Sequence, residues 1–152
     1  MNVLFLCTGN YYRSRFAEEY FNAVCAARSL PHRAASRGLA EEFERLKNPG
    51  PLSVDAVAEL KKLGITVKKP LRKPQKLSGS DVPFFDRIVC LDKKEHLPLV
   101  KKRASLRGRK VIYWKIKDLG ERAASLALPE CRKKIDELIL AMEESSESGK
   151  KR

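Results

Sequence analysis

The chain alternates between short, continuous apolar runs and longer segments in which apolar residues recur every three or four positions. Residues 2–6 (NVLFL) are apolar without alternation, the pattern of a strand covered on both faces. Residues 14–28 carry Ala17, Tyr20, Phe21 and Val24 at helical spacing, with Leu30-Pro31 as the stop. A short second strand is predicted at 34–39 (AASRGL), and a helical turn in EEFERLKNPGP that ends in a Pro/Gly-rich loop. At 53–63, Ser53 suits an N-cap, Ala56, Val57, Leu60 and Leu63 form one stripe, and Gly64 ends it. Residues 67–83 form a basic loop punctuated by Pro70, Pro74, Gly79 and Pro83. A third strand is predicted at 87–91 (RIVCL), a short helix at 93–103 despite Pro98, and a last strand at 111–116 (VIYWKI). Pro129 suits the first turn of a final helix whose apolar face is Cys131, Ile135, Leu138, Ile139 and Met142.

Strands alternating with helices imply an α/β fold. The expectation is a single-domain, doubly wound sandwich: a central, mostly four-stranded parallel β-sheet flanked by helices, Rossmann-like in plan. The domain is expected to span 1–142, with the polar stretch 143–152 as a frayed, flexible tail. Ligands on such sheets bind beyond the carboxyl ends of the strands. The loop that follows the first strand, CTGNYYR, occupies one of those ends.

Composition narrows the role. A length of 152 residues fits one domain with one substantial core. No apolar run is long enough to span a bilayer, and the start lacks the basic flank of a signal peptide, so a soluble cytoplasmic protein without membrane association is expected. Four cysteines at 7, 25, 90 and 131 form no CxxC pair, and His32 and His96 have no ligand-like spacing. Neither a metal nor another cofactor is predicted. The net charge of +13 favours anionic partners. The basic runs 67–76 and 101–110 contain no aromatic residue for base stacking, so they read as solvated loops, and nucleic acid is a secondary reading that a steep salt dependence of retention would reveal.

The chemistry concentrates in Cys7-Thr8-Gly9-Asn10-Tyr11-Tyr12-Arg13-Ser14. A tight loop between a strand and a helix turns backbone N–H groups inward and makes an anion nest, to which the helix N-terminus adds its dipole. Gly9 and Asn10 tolerate the left-handed backbone angles such a nest needs. That field favours the thiolate of a cysteine at its mouth. Arg13 offers a fork matching two phosphate oxygens, and Ser14 a hydroxyl for the sulfur. An isolated cysteine ending a strand is more often a small buried hydrophobe. Here the C-x5-R spacing, the Gly-Asn turn, the strand before and the helix after agree on a nucleophile aimed at phosphorus.

The stretch VLFLCTGNYYRSRFAE resembles the signature of the low-molecular-weight protein tyrosine phosphatases, a superfamily shared with thioredoxin-linked arsenate reductases. Cys7, Gly9, Asn10, Arg13, Ser14, Ala17 and Glu18 match it. Weaker likeness continues in SRGL (36–39), PGPLSVDAVAELKKLGI (49–65) and FFDRIVCLDKKEH (84–96). The resemblance implies a phosphatase I-like fold and a phosphomonoesterase working through a cysteinyl-phosphate, with phosphorylated proteins or small phosphomonoesters as substrates. Inorganic phosphate, sulfate or vanadate would be site ligands, held by Thr8, Gly9, Asn10, Tyr11, Tyr12, Arg13 and Ser14. It also implies a general-acid aspartate after the last strand, and Asp118 falls there, with Leu119 where the family has proline. Cleaving an aryl phosphate needs a proton for the leaving oxygen, and Asp118 follows a strand end on the same side of the sheet as Cys7. Asp81, Asp86 and Asp92 are weaker candidates, the last two better suited to supporting loops.

Several positions depart from the pattern. Tyr12 replaces a second loop cysteine that in relatives can pair reversibly with the nucleophile. Arg15 replaces the usual proline and, with Arg37, would either face solvent or draw in an anion. Tyr11 would line the pocket, and Leu119-Gly120 lacks the aromatic flank of a phosphotyrosine ring, for which Phe43 is a candidate substitute. Two other functions use the same loop: arsenate reduction through an external thiol, since Cys90 is alone in the region where such relatives carry two cysteines, and non-enzymatic reading of phosphorylated proteins.

Overall fold

The computed structural model describes residues 1–150. Four strands, β1 (Asn2–Cys7), β2 (Arg33–Gly38), β3 (Arg87–Cys90) and β4 (Val111–Tyr113), form one sheet in the order β2-β1-β3-β4, and every pairing is parallel. The helices are α1 (Arg13–Ala27), α2 (Val54–Lys62), α3 (Lys93–Lys101) and α4 (Ala124–Lys150). The expected α/β sandwich is therefore the observed one.

The unbroken apolar run of β1 has a two-sided cause. Val3, Phe5 and Cys7 face the core beneath α1, α2 and α4, whereas Leu4 and Leu6 face a smaller core with Leu77, Ile88, Cys90, Val100 and Leu106. Phe5 is fully buried against Phe21 and Trp114, with ring centroids 5.9 and 5.8 Å apart. The chain reverses direction across the sheet at β1, whose neighbours β2 and β3 are reached by crossovers running opposite ways. That switch point opens a crevice at the carboxyl ends of β1 and β3.

Three boundaries differ from the sequence reading for physical reasons. Regular pairing of β4 stops at Tyr113, yet Trp114 N–H still donates to Cys90 O (2.9 Å) and Ile116 N–H to Leu91 O (2.7 Å). The predicted strand 111–116 thus survives as an anchored but irregular extension. The last helix starts at Ala124, with Pro129 inside it rather than opening it. It also runs to Lys150, through the segment expected to be a frayed tail. Glu143 in that segment accepts a hydrogen bond from His32 Nε2 (2.7 Å), whose Nδ1 accepts from the Met1 amine (2.9 Å). Residues 151–152 of the expected tail lie outside the described residues. None of the described helices is long and apolar enough to cross a membrane.

Candidate active site

The loop between β1 and α1 is held by two neighbouring segments, the one that follows β2 and the one that opens α2. Leu39 N–H donates to Cys7 O (2.9 Å), Ala40 N–H to Thr8 O (3.1 Å) and Ser53 N–H to Tyr11 O (3.1 Å). Asn10 takes the left-handed conformation (φ 50°), whereas Gly9 does not. Asparagine is among the few residues that adopt it at low cost, and its side chain is then turned away from the pocket and fully buried.

There Asn10 becomes the hub of a network. Its Nδ2 donates to Ser14 Oγ (2.9 Å) and Ser36 Oγ (2.8 Å), and its Oδ1 accepts from Gln75 N–H (3.0 Å) and Arg72 Nη1 (3.2 Å). Ser36 Oγ donates in turn to Glu18 Oε1 (2.8 Å), which also receives Arg72 Nη2 (3.2 Å). Ser14 Oγ lies 2.9 Å from Cys7 Sγ. A loop conformation that glycine would adopt freely is thereby fixed by side chains from α1, β2 and the basic loop. The run 67–76 is thus not merely solvated: Arg72 and Gln75 brace the anion loop.

Cys7, Thr8, Gly9, Tyr11, Tyr12, Arg13 and Asp118 line one pocket of about 240 Å³, closed by Leu46, Asn48 and Leu119. It sits at the N-terminus of α1, whose first turn carries no acidic residue to compete with an incoming anion. The Arg13 side chain is 2% exposed and lies 3.7 Å from the Asp118 carboxylate, which is half exposed at the rim. Arg13 Nη1 donates to Ile116 O (3.1 Å) and Nη2 to Glu95 Oε2 (2.5 Å). These contacts occupy two of the five N–H donors of a guanidinium.

Glu95 is the residue that sequence reasoning missed. It stands in the first turn of α3 and accepts from Thr8 Oγ1 as well as Arg13. His96 Nδ1 accepts the Asp92 backbone N–H (3.0 Å), which leaves the proton on Nε2, 2.9 Å from Glu95 Oε2. Burial alone would raise the Glu95 carboxyl, but hydrogen bonds from His96, Arg13 and Thr8 and the charge of Arg13 hold it well below the usual carboxylate range. For Arg13, burial opposes the charge, and the Cys7, Glu95 and Asp118 side chains outweigh it, so its charge is held more firmly than usual.

Other expectations change. Phe43 does not wall the pocket: it packs on Gly38, where an added Cβ would meet the Phe43 ring at 2.4 Å, and Leu46 takes the wall instead. Arg15 is neither solvent-facing nor part of the pocket. It is 1% exposed and donates to Pro51 O (3.1 Å), and burial lowers its hold on the proton. Arg37 pairs with Asp81 (3.4 Å), away from the pocket. Asp86 receives the Asn2 N–H (2.7 Å) and Asp92 caps α3, both as supports. Tyr11 lines the pocket with its hydroxyl donated to Pro49 O (2.5 Å). Tyr12 lines it too, with a buried hydroxyl that has no partner and that burial holds in the neutral form. Among the described residues no cluster of His, Cys, Asp or Glu could hold a metal ion.

The sequence profile of the low molecular weight phosphotyrosine protein phosphatases matches residues 2–145. The chain belongs to that family. A low molecular weight protein tyrosine phosphatase from T. tengcongensis superposes with a TM-score of 0.75 at 26% identity, over 93% of this chain and 99% of that one. YfkJ from Bacillus subtilis gives 0.81 at 19% identity, over 95% and 96%. Wzb from Vibrio vulnificus, solved with benzylphosphonate, gives 0.70 at 22%, over 95% and 97%. No match was found among curated protein sequences. Membership makes the protein a cysteine-based phosphatase. Among the described residues no thiol relay of the arsenate-reductase kind surrounds this pocket. Cys90 is the register partner of Leu6 and faces the opposite core from Cys7, with its thiol pushed up to about 12 by burial and by the Cys7 charge.

Proposed function

We propose that this phosphatase removes phosphate from phosphorylated side chains of proteins, with phosphotyrosine as the principal class, through a cysteinyl-phosphate. The observation that carries the reading is the convergence of Cys7, Arg13 and Asp118 on one small pocket at a helix N-terminus. Cys7 Sγ attacks phosphorus in line. The free N–H groups of Arg13 and the backbone N–H groups of residues 8–13 take the equatorial oxygens, whose charge grows in the transition state. As the S–P bond forms and the P–O bond breaks, Asp118 gives its proton to the leaving oxygen. The resulting carboxylate then takes a proton from water, whose oxygen attacks phosphorus and releases Cys7 with inorganic phosphate. Ser14, 2.9 Å from the sulfur, steadies the thiolate as leaving group.

The substrate side chain enters between Tyr11, Leu46 and Leu119. Beside Tyr11, the aliphatic Leu46 and Leu119 stand in place of the aromatic flank of relatives and hold a ring by contact area. Four free cysteines suit a reducing compartment such as the cytoplasm.

The test is hydrolysis of para-nitrophenyl phosphate without added metal, from mildly acidic to neutral pH. Cys7→Ser is expected to abolish turnover. Asp118→Asn is expected to lower kcat by about 10²-fold or more, with a smaller loss on esters whose leaving group needs no proton. Equal loss across leaving groups would remove Asp118 from the acid role.

A further inference from the structure

One open groove of the molecule is larger than the phosphate pocket. About 740 Å³ in volume, it lies beside that pocket, between α3, the β4 extension and α4. Five lysines line it (Lys93, Lys94, Lys115, Lys117 and Lys134) against one carboxylate, Asp92. Asp92 is already neutralised: its buried Oδ2 lies 3.1 Å from Lys117 Nζ. Lys134 pairs with Glu137 (3.8 Å), and Lys93 covers the Tyr113 ring at 6.0 Å. Lys94 and Lys115 are exposed and pair with no carboxylate among the described residues. The floor beneath them is apolar, made by Leu97, Pro98, Tyr113 and Trp114.

Two observations tie the groove to catalysis. The same extension of β4 supplies Lys115 and Lys117 to the groove, Ile116 O to Arg13, and Asp118 to the pocket. The same helix α3 turns Glu95 towards Arg13 and Lys94 towards the groove. A chain lying along Lys115 and Lys117 would therefore adjoin the rim at Asp118.

We infer that this groove docks an acidic segment of the protein substrate, a stretch of Asp and Glu interspersed with apolar residues, adjoining the phosphorylated residue. The inference rests on the phosphatase reading for its substrate and on charge complementarity for its occupant. An acidic peptide satisfies both surfaces of the groove, with carboxylates at the lysine rim and apolar side chains against the half-buried Leu97 and the exposed Pro98, whereas base stacking needs an open aromatic face. A single-stranded nucleic acid would satisfy only the rim, because Trp114 is buried and Tyr113 is covered by Lys93. Rim charges act mostly on encounter and selectivity, and salt screens them.

The experiment compares the wild-type chain with a Lys94→Glu/Lys115→Glu variant. Neither residue touches the phosphate pocket, so para-nitrophenyl phosphate turnover is expected unchanged. Against a phosphotyrosine peptide flanked by Asp and Glu, the variant is expected to lose about fivefold to tenfold in kcat/KM, through KM. Against a neutral-flanked peptide it is expected to lose nothing, and 0.5 M salt should remove the wild-type preference. Fluorescence anisotropy of the unphosphorylated acidic peptide, weakened in the variant, reads the groove independently of any catalysis. Equal treatment of acidic and neutral peptides by wild type and variant overturns the inference even if para-nitrophenyl phosphate is hydrolysed. So does tighter retention of a single-stranded RNA than of the acidic peptide in the same groove.

Discussion

Glu95 is a carboxylate beside a site that binds anions, and its effect can be reasoned in two opposite directions. If it competes with phosphate for Arg13, removing it should raise activity. If it orients Arg13, removing it should lower activity. The geometry favours orientation. Glu95 does not line the pocket, and it binds Arg13 Nη2 and Thr8 Oγ1 from behind the loop, leaving three guanidinium donors for substrate. Removing one partner of a buried ion pair costs about 3–5 kcal/mol. The Glu95 side chain is 29% exposed, so water can compensate in part, and about 2–3 kcal/mol is expected for Glu95→Ala. For a chain of 152 residues that is a Tm lower by roughly 5–10 °C. Gln keeps an acceptor for Thr8 and Arg13 without the charge and should cost about half as much. A freed Arg13 that drifts by an ångström loses about 10²-fold in rate. The assay is kcat/KM on para-nitrophenyl phosphate with circular-dichroism melts of wild type, Glu95→Gln and Glu95→Ala. A graded loss of kcat/KM from Gln to Ala is expected. A gain in either variant would refute the reasoning. The carboxyl is held below its unfolded value near 4.3. Its stabilisation is therefore complete above that value and lost as pH falls through it towards the lower folded value. The Glu95→Gln variant should show a flatter stability profile below about pH 5.

Four further outcomes follow from the same geometry. Arg72→Met should loosen the support of Asn10 and Glu18, lowering kcat/KM about tenfold while leaving the melting cooperative; unchanged kinetics would remove Arg72 from the loop brace. Gly38→Ala drives a methyl into Phe43 at 2.4 Å and Thr8 O at 2.9 Å, so a loss of about 1–3 kcal/mol in denaturant melts is expected. Arg15→Met should be neutral or stabilising in the same melts, because the buried Arg15 Nε has no partner and only Pro51 O receives the guanidinium. Peroxide should inactivate Cys7 beyond recovery by thiols after long exposure, because Tyr12 stands where a pairing cysteine would be, and burial holds Cys25, Cys90 and Cys131 as thiols; full recovery by dithiothreitol would contradict this.

What was legible in the chain was what local chemistry dictates. The two-sided strand 2–6, the Ser53 cap, and the Cys7-to-Arg13 loop are each written in adjacent residues, and each stands where expected. Asp118 is implied by the family resemblance and supported by its place just after a strand end, and it lines the pocket. Glu95 was not found, although it follows the strand end at Cys90 by a similar distance. An acid in a helix's first turn reads as a dipole partner, and only the fold brings it to Arg13 and Thr8. Arg72 looked like one cation in a solvated run until the return of its loop along β2, with Gly38 N–H donating to Gln75 O (2.8 Å), delivered it to Asn10. Phe43 and Arg15 failed for the complementary reason. The family pattern puts them near the pocket, but Phe43 packs on Gly38 and the buried Arg15 donates to Pro51 O instead.

The central claim is that Cys7 carries the phosphoryl group. Rapid quenching during para-nitrophenyl phosphate turnover, followed by mass spectrometry of the peptide containing Cys7, tests it most directly. A phosphate on Cys7, formed with a stoichiometric burst of para-nitrophenol and absent from Cys7→Ser, is the predicted result. Hydrolysis that persists in Cys7→Ser, or a burst that leaves phosphate on another residue, would contradict it.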